Sequence, residues 1–504
     1  MLSHVPSGTR VLAEVYSMRL KVAGKRRRWI LAVLVIAWTP AAAQRSLPDD
    51  RASLVQAIDA KRESYATIAK QIWAFAEVGY QEAKSSALLQ QQLRAAGFQV
   101  KSGVADIPTA FVATFGSGKP IIGIVGEFDA LPGLSQEAQT AARHAIEENA
   151  PGHGCGHNLL GPAALGAAVS VKEWLAAGHP GTLRYYGTPA EEGGSGKVYM
   201  VRAGLFNDVD AVVTWHPGDR NDASPSTNLA NITGKFRFHG VAAHAAAAPH
   251  RGRSALDAVE AMDYMVNMLR EHVPQETRIH YIITRGGAAP NIVPDFAEAY
   301  YYARQPDMRI LEGVWDRIVD AAKGAALGTG TTMDFEITGS VWNVLPNETL
   351  SAVMYKNLER VGGFAYTKEE AAFAEEIRKS LTESPTVGIG SQEKIQPSRG
   401  GQVASSSTDL ADVSWNVPTV SVTTATFVPG VPAHSWQATA CAGGTIGQKG
   451  MIVAAKSMAL TTVDLFTDAT LIQKAKAEFD QKRGPNFVYK TRLGDRKPAL
   501  DYRK

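Results

Sequence analysis

The chain has 504 residues, of which 45% are hydrophobic and 20% are charged, and its formal net charge is only +3. A single hydrophobic core stops growing at roughly 250–300 residues, so this length predicts two domains. The 52 basic residues nearly balance the 49 acidic ones, which excludes a field suited to nucleic acid, and two cysteines are too few for a disulfide framework.

The N-terminal segment has the order of a secretory signal peptide. A basic run at 25–28 precedes an apolar stretch at 29–38 and then small residues at 39–44, which predicts an export signal at residues 1–43, with Met18 as an alternative start. The apolar stretch is shorter than the roughly 20 residues of a membrane span, although an uncleaved anchor stays open. We expect an exported protein, periplasmic or secreted, that has no membrane attachment after cleavage.

Helical and strand patterns alternate in the first part of the mature chain. Apolar residues recur at helical spacing over 51–77 and 85–96. Short β-rich runs follow at 111–115, 121–125, 182–186 and 211–215. Strands separated by helices predict an α/β fold with a mostly parallel sheet that is wrapped by helices.

The first chemical motif is Gly-His-Gly-Cys-Gly-His-Asn at 152–158. Its glycines let the backbone approach an ion closely, and Cys155 and His157 are good ligands for a transition metal. The motif predicts a metal site, with a glycine-rich turn and an incidental histidine as the alternative.

The second motif contains the adjacent carboxylates Glu191 and Glu192, directly after a predicted strand. Ligands of open α/β sheets gather at the carboxyl ends of strands. One carboxylate can ligate a metal while its neighbour holds a water for attack. An acidic pair can instead serve only the dipole of the following helix, but its position after a strand favours the metal site.

Two further histidines follow strand patterns. His216 ends the run at 211–215, and His434 follows a predicted strand at 419–423 through a loop. Either one alone would read as an ordinary strand-end or loop histidine. Together with the first two motifs they give five N, O and S donors and a spare carboxylate, which fits two divalent ions, Zn²⁺ or Mn²⁺, with Co²⁺ also compatible.

The pattern changes from about residue 232. Strands are predicted at 235–239, 278–284, 297–303 and 332–337, with helices at 254–271 and 311–325. This β-α-β-β-α-β order is that of a ferredoxin-like unit. It predicts an α+β domain at 230–342 inserted into a first domain made of 44–229 and 343–475.

The remaining segments carry weaker signals. Residues 381–408 are rich in Ser, Gly, Pro and Gln and predict a long loop, and a helix is predicted over 447–466. The charged segment 476–504 predicts a peripheral tail.

These motifs resemble those of the M20 metallopeptidase family, in its amidohydrolase branch, and within that branch those of the aminobenzoyl-glutamate hydrolases. The resemblance covers about 58–466 and is carried by 126–131, 152–161, 191–197 and 214–217. It implies a zinc-peptidase-like catalytic domain. It also implies that Cys155 takes the place of the metal-bridging ligand, that the other ligands are His157, Glu192, His216 and His434, and that Glu191 is the general base.

The resemblance implies roles for the inserted domain as well. Residues 230–342 correspond to the lid and dimerisation domain of the family, through which a homodimer would form. His244 would reach across that dimer to polarise the scissile carbonyl, and Asn291 and Arg304 would hold the substrate's α-carboxylate. A structural Asn and a surface Arg are the alternatives for the last two.

The sequence departs from the wider family before Asp129, where Glu127 stands in place of a metal-binding histidine. This makes Asp129 an orienting residue beside a ligand rather than a ligand itself.

The function that the resemblance implies is two-metal hydrolysis of the amide bond in an N-acyl or N-aroyl amino acid, such as aminobenzoyl-glutamate or a related peptide. Glu191 would activate a water held between the metals. One alternative is an aminoacylase or carboxypeptidase that acts on another N-acyl amino acid or on an amide-linked toxin. The other is a non-catalytic metal-binding subunit of a hetero-oligomeric hydrolase.

Overall fold

The computed structural model describes residues 50–503, so the predicted signal peptide and its start position lie outside the described residues. The first elements are α1 (Asp50–Ala60), α2 (Arg62–Phe75), α3 (Ala83–Ala95), β1 (Gln99–Ser102), β2 (Phe111–Ser117), β3 (Ile121–Gly126), α4 (His157–Ala176), β4 (Gly181–Gly187), α5 (Gly196–Arg202) and β5 (Ala211–Gly218). The middle elements are β6 (Ser226–Thr227), β7 (Ala230–His239), α6 (Ala255–Leu269), β8 (Arg278–Arg285), β9 (Phe296–Gln305), α7 (Met308–Thr329) and β10 (Thr332–Val341). The last elements are α8 (Glu348–Val361), α9 (Lys368–Arg378), β11 (Gln402–Val403), α10 (Leu410–Ser414), β12 (Thr419–Ala425), α11 (Trp436–Ala442), α12 (Thr445–Thr467) and α13 (Ala469–Arg483).

The larger sheet has six strands in the order β1-β2-β4-β3-β5-β12. The pairs β4-β3, β3-β5 and β5-β12 are parallel, and β1 and β2 join one edge antiparallel. Strands β3, β4 and β5 are buried along most of their length, because helices cover both faces of the sheet. The predicted mostly parallel sheet is confirmed. Its carboxyl edge collects the ends of β3, β4, β5 and β12.

Two long helices form the core beside this sheet. Helix α4 and helix α12 are buried over most of their residues and pack on each other. Among the residues from 50 to 503, α12 is the one helix long and apolar enough to cross a membrane, and 83% of its apolar window is buried inside the protein. That burial is typical of a core helix.

The smaller sheet is antiparallel, in the order β10-β7-β9-β8. Helices α6 and α7 cover one face, where Phe236, Tyr301 and Trp315 are fully buried. Strand β8 leaves most of its residues exposed. The β-α-β-β-α-β order predicted from the sequence is the order found, and it makes this unit ferredoxin-like.

The helix pattern over 51–77 forms two helices rather than one. The backbone leaves helical geometry at Lys61, with φ −104° and ψ 9°. The side chains on either side, such as Ile58 and Ile68, stay buried. The periodicity of the apolar residues therefore persists across the break and does not reveal it.

The prediction of a peripheral tail at 476–504 is wrong. Phe479 and Leu493 are buried, and Phe487 and Tyr489 pack against Trp342. The segment looks peripheral because it is rich in charge, but its widely spaced apolar residues fix it to both halves of the molecule. The segment 381–408 is mostly irregular, as predicted, and its short strand β11 pairs with β6.

Candidate active site

The carboxyl edge of the larger sheet positions the candidate residues. Glu127 follows β3, Glu191 and Glu192 lie in the turn after β4, and His216 lies in the last part of β5. His157 is the first residue of α4, and the backbone amide of His434 bonds to the carbonyl of Gly154 at 2.8 Å. The sheet and this backbone contact thus bring the predicted ligands to one place.

Three groups of donor side chains have all their ligand atoms within 4.8 Å of one another. They are Cys155, His157 and His216; Cys155, Glu192 and His434; and Glu127, His157 and Glu191. Cys155 belongs to the first two groups, so its Sγ lies between two places where an ion could bind. All five ligands named from the sequence are in these groups, and their individual roles stay predictions.

Unsatisfied polar atoms at this site fit bound metal ions. Glu127 Oε2, His157 Nε2 and Glu192 Oε1 are buried and have no hydrogen-bond partner within the described part of the chain. Glu127 Oε2 and His157 Nε2 face each other at 3.2 Å, and Glu192 Oε1 lies 3.3 Å from His434 Nε2. Buried polar atoms without partners are costly, and divalent ions would satisfy all three.

The two buried histidines are oriented by their other ring nitrogen. His157 Nδ1 lies 2.9 Å from Asp129 Oδ1, and His216 Nδ1 lies 2.8 Å from the Pro217 carbonyl. Donation from Nδ1 leaves Nε2 available as a metal ligand. Asp129 also accepts a bond from the Glu192 backbone amide at 2.9 Å, so it contacts two candidate ligands without being in any donor group.

Burial changes the protonation of the remaining ligands. It lowers the pKa of His216, helped by the nearby His157, which favours the neutral ring that a metal needs. Burial and the charge of Glu192 raise the pKa of the Cys155 thiol. A thiolate at this position therefore needs a cation beside it.

Sequence reasoning missed a buried ion cluster next to these ligands. Lys197 Nζ lies 2.7 Å from Glu127 Oε1 and 2.7 Å from Asp409 Oδ1, and the Lys197 backbone amide bonds to Asp409 Oδ2 at 2.8 Å. Burial alone would raise the pKa of Glu127, but Lys197 and His157 hold it below its usual range. A lysine within the otherwise apolar segment of α5 was the available signal.

Glu191 has the electrostatic environment of a proton carrier. Burial, and then the negative charges of Glu127, Glu192 and Asp409, raise its pKa well above that of a free carboxyl group. A general base works best when its pKa lies near the operating pH. Glu191 also lines the cavity described next, so a substrate could reach it.

A cavity of ≈ 900 Å³ opens over the donor groups. Besides the site carboxylates and histidines, Arg304, Tyr302, Arg503 and residues 404–409 line it. Arg304 NH1 donates to Ser407 Oγ at 3.2 Å. The structure therefore brings the predicted substrate ligand Arg304 to the metal site.

His244 and Asn291 lie elsewhere. Among the residues from 50 to 503 that line the cavity, neither is present. They are neighbours on an exposed surface beside the antiparallel sheet, where the Ala245 amide bonds to the Asn291 carbonyl at 3.0 Å. The His244 ring accepts bonds from the Ala246 and Ala247 amides. Their predicted action across a dimer stays a prediction.

Comparisons with known proteins identify the family. The peptidase dimerisation domain matches residues 228–329. One of the two kinds of subunit of the p-aminobenzoyl-glutamate hydrolase of Escherichia coli (strain K12) is 43% identical over 450 residues, covering 84% of this chain and 94% of the relative. The Xaa-Arg dipeptidase of Mus musculus is 30% identical over 462 residues, covering 88% and 95%.

A solved structure shares the fold. The dinuclear metal-binding M20 peptidase from Bacillus subtilis is 17% identical, with a TM-score of 0.56 over 81% of this chain and 99% of that one. The resemblance inferred from the motifs is thus confirmed, and the donor groups fit the divalent metals that this fold implies. The chain belongs to the M20 family of metal-dependent enzymes that hydrolyse amide and peptide bonds.

Proposed function

We propose that this enzyme hydrolyses the amide bond between an acyl or aroyl group and an amino acid, with p-aminobenzoyl-glutamate among its substrates. The observation that carries the proposal is the position of Glu191. This carboxyl lines the cavity and lies within 4.8 Å of the ligand atoms of His157 and Glu127, beside the two donor groups that share Cys155. The relative that is named for this substrate supports the choice of acyl group.

Two divalent ions, Zn²⁺ or Mn²⁺ with Co²⁺ compatible, would be held by the five donors. His157 and His216 would serve one ion, Glu192 and His434 the other, and Cys155 both. When bound, such ions lower the pKa of a water and polarise a carbonyl oxygen.

The protein's own part in the reaction is proton transfer. Glu191 would accept a proton from the attacking water as its oxygen bonds to the amide carbon. It would then give that proton to the amine nitrogen as the C–N bond breaks. Its raised pKa lets it hold the proton between the two steps.

Replacing Glu191 with Gln tests this role. The substitution keeps the shape and removes the base, so we expect turnover of p-aminobenzoyl-glutamate to fall by about 10²–10⁴-fold while the metal content stays the same. Release of glutamate measures the first and elemental analysis the second. Glu148, which is exposed, gives the matched control Glu148→Gln, expected to be as active as the parent.

The substrate panel decides the acyl and amino-acid preference. It should contain p-aminobenzoyl-glutamate, other N-acyl amino acids and a dipeptide that ends in arginine, because the second relative is named for such peptides. Normal turnover by Glu191→Gln would remove Glu191 from the mechanism. No turnover by the metal-loaded parent on any substrate would favour the non-catalytic subunit instead.

The proposed partner is a second copy of this chain, with a different subunit as the alternative. The match of residues 228–329 to a dimerisation domain supports the first, and the naming of two different subunits for the E. coli hydrolase supports the second. His244 and Asn291 could act on substrate only from such a partner. If His244 serves the partner's site, mixing His244→Ala with Glu191→Gln should restore part of the activity, and a mixture as inactive as its components would contradict this.

A further inference from the structure

The C-terminal segment 484–503 connects the two sheets and ends at the candidate active site. Arg492 pairs with Glu312 and Asp316 of α7 at 3.2 Å, and Arg496 Nε lies 3.0 Å from Glu336 Oε1 of β10. On the other side, Arg202 of α5 donates to the carbonyls of Gly494 and Arg496. The segment is thus held at both sheets before it reaches the cavity.

Its last two described residues bind the backbone of a candidate metal ligand. Tyr502 Oη donates to the Glu192 carbonyl at 3.1 Å, and Arg503 NH2 donates to the same oxygen at 2.7 Å. The Tyr502 ring packs edge-on against Tyr80, and a Cβ at Gly79 would come within 2.3 Å of the Tyr502 hydroxyl. The segment is therefore packed closely against the turn that carries Glu191 and Glu192.

Arg503 presents an unused donor at the cavity. Its guanidinium lines the cavity, and its Nε is buried without a hydrogen-bond partner among the residues from 50 to 503. Arg304 is the other arginine in the lining, and the described lining contains no lysine. Burial raises the pKa of Tyr302, and the charges of both arginines lower it, so both guanidinium groups lie near this phenol.

We propose that Arg503 binds a carboxylate on the amino-acid part of the substrate, so that the C-terminal segment is part of the substrate site. The inference rests on the proposed hydrolysis of N-acyl amino acids. Every such substrate has an α-carboxylate close to the scissile nitrogen, and an acidic amino acid has a second carboxylate in its side chain. A guanidinium with a free N–H matches the planar carboxylate, and the bond is strong where water is excluded.

The two arginines also bear on the substrate class. Two positive groups in one cavity can hold two carboxylates, one each, which favours a dicarboxylic amino acid. They disfavour a cationic amino acid side chain by like-charge repulsion. Arg503 would bind either the α-carboxylate or the side-chain carboxylate, with Arg304 left for the other.

Binding measurements on the metal-loaded, full-length Glu191→Gln protein test the inference without turnover. The ligands are p-aminobenzoyl-glutamate and its two monoamides, one at the α-carboxylate and one at the side chain. In this background we expect Arg503→Ala to weaken binding of the diacid by about 10–100-fold, the scale of a charged hydrogen bond. Arg496→Ala is the matched control, because Arg496 lies in the same segment but outside the described cavity lining, and it should stay within twofold.

The monoamides identify the carboxylate that Arg503 contacts. The amide that removes this group should bind weakly to the parent and equally weakly to Arg503→Ala, whereas the other amide should still distinguish the two proteins. Arg503→Lys keeps the charge and should retain part of the affinity. Its melting temperature shows whether the segment is still folded.

Three results would overturn the inference. They are unchanged affinity in Arg503→Ala, an equal loss for the diacid and both monoamides, and no binding of the diacid by the parent. An equal loss is what a purely structural effect on the Glu192 turn would cause. Wild-type turnover is measured separately, so an enzyme that binds the diacid through Arg503 but does not cleave it would contradict the proposed function alone.

Discussion

Two clusters of charged side chains, one beside the active site and one on the antiparallel sheet, differ in burial rather than in size. In the first, Lys197 is shared by Glu127 and Asp409, and these side chains are 0%, 5% and 1% exposed. In the second, Arg237 is shared by Glu298, Asp334 and Glu336, and Arg237 is 28% exposed. The same pairing of one cation with several carboxylates thus occurs in two different dielectric environments.

The difference changes what each cluster can do. Removing an ion from water costs several kcal/mol, so a buried cluster is tolerated only when every charge is compensated. An exposed pair keeps its hydration and contributes about 0–1 kcal/mol. The buried cluster also keeps a negative charge on Glu127, which helps to raise the pKa of Glu191. We infer that the first cluster serves the site and that the second adds little beyond local structure.

Replacing Lys197 with Met should have the largest effect on stability. The change leaves the carboxylates of Glu127 and Asp409 buried without their cation, and breaking a buried pair in this way costs about 3–5 kcal/mol. The free energy of unfolding should be measured by denaturant titration with a chelator present, so that bound metal does not replace the lost charge.

A second substitution tests whether the lost compensation is the cause. Adding Asp409→Asn to Lys197→Met removes one of the two uncompensated charges, so part of the lost stability should return. A loss below about 1 kcal/mol for Lys197→Met would place this cluster in the range of surface pairs. The contrast between the two clusters would then fail.

The buried cluster also marks the limit of what the sequence predicts. The ligands could be found because short motifs place Cys155, His157 and the Glu191–Glu192 pair next to predicted strands, and the sheet then brings strand ends together. Lys197 and Asp409 are 212 residues apart, and a lysine is ordinarily a surface residue. Nothing local in the sequence indicates that their side chains meet in the core.

The C-terminal segment escaped prediction for a related reason. Its charges suggested a solvated tail, but Arg492 and Arg496 pair with residues of α7 and β10, and Tyr502 and Arg503 reach the Glu192 carbonyl. These contacts join residues that are far apart in the chain. Element order is a local property and was predicted well, whereas such contacts depend on the packing of the complete fold.

Replacing Arg237 with Gln should have the smallest effect and complete the comparison. The three carboxylates around it stay hydrated, so the free energy of unfolding should fall by no more than about 1 kcal/mol. The loss should also shrink in 1 M salt, where the screening length is about 3 Å. Denaturant titrations at low and high salt measure both effects. A loss of the size expected for Lys197→Met, unchanged by salt, would mean that exposure does not distinguish the two clusters, and the site-serving role of the buried one would lose its physical basis.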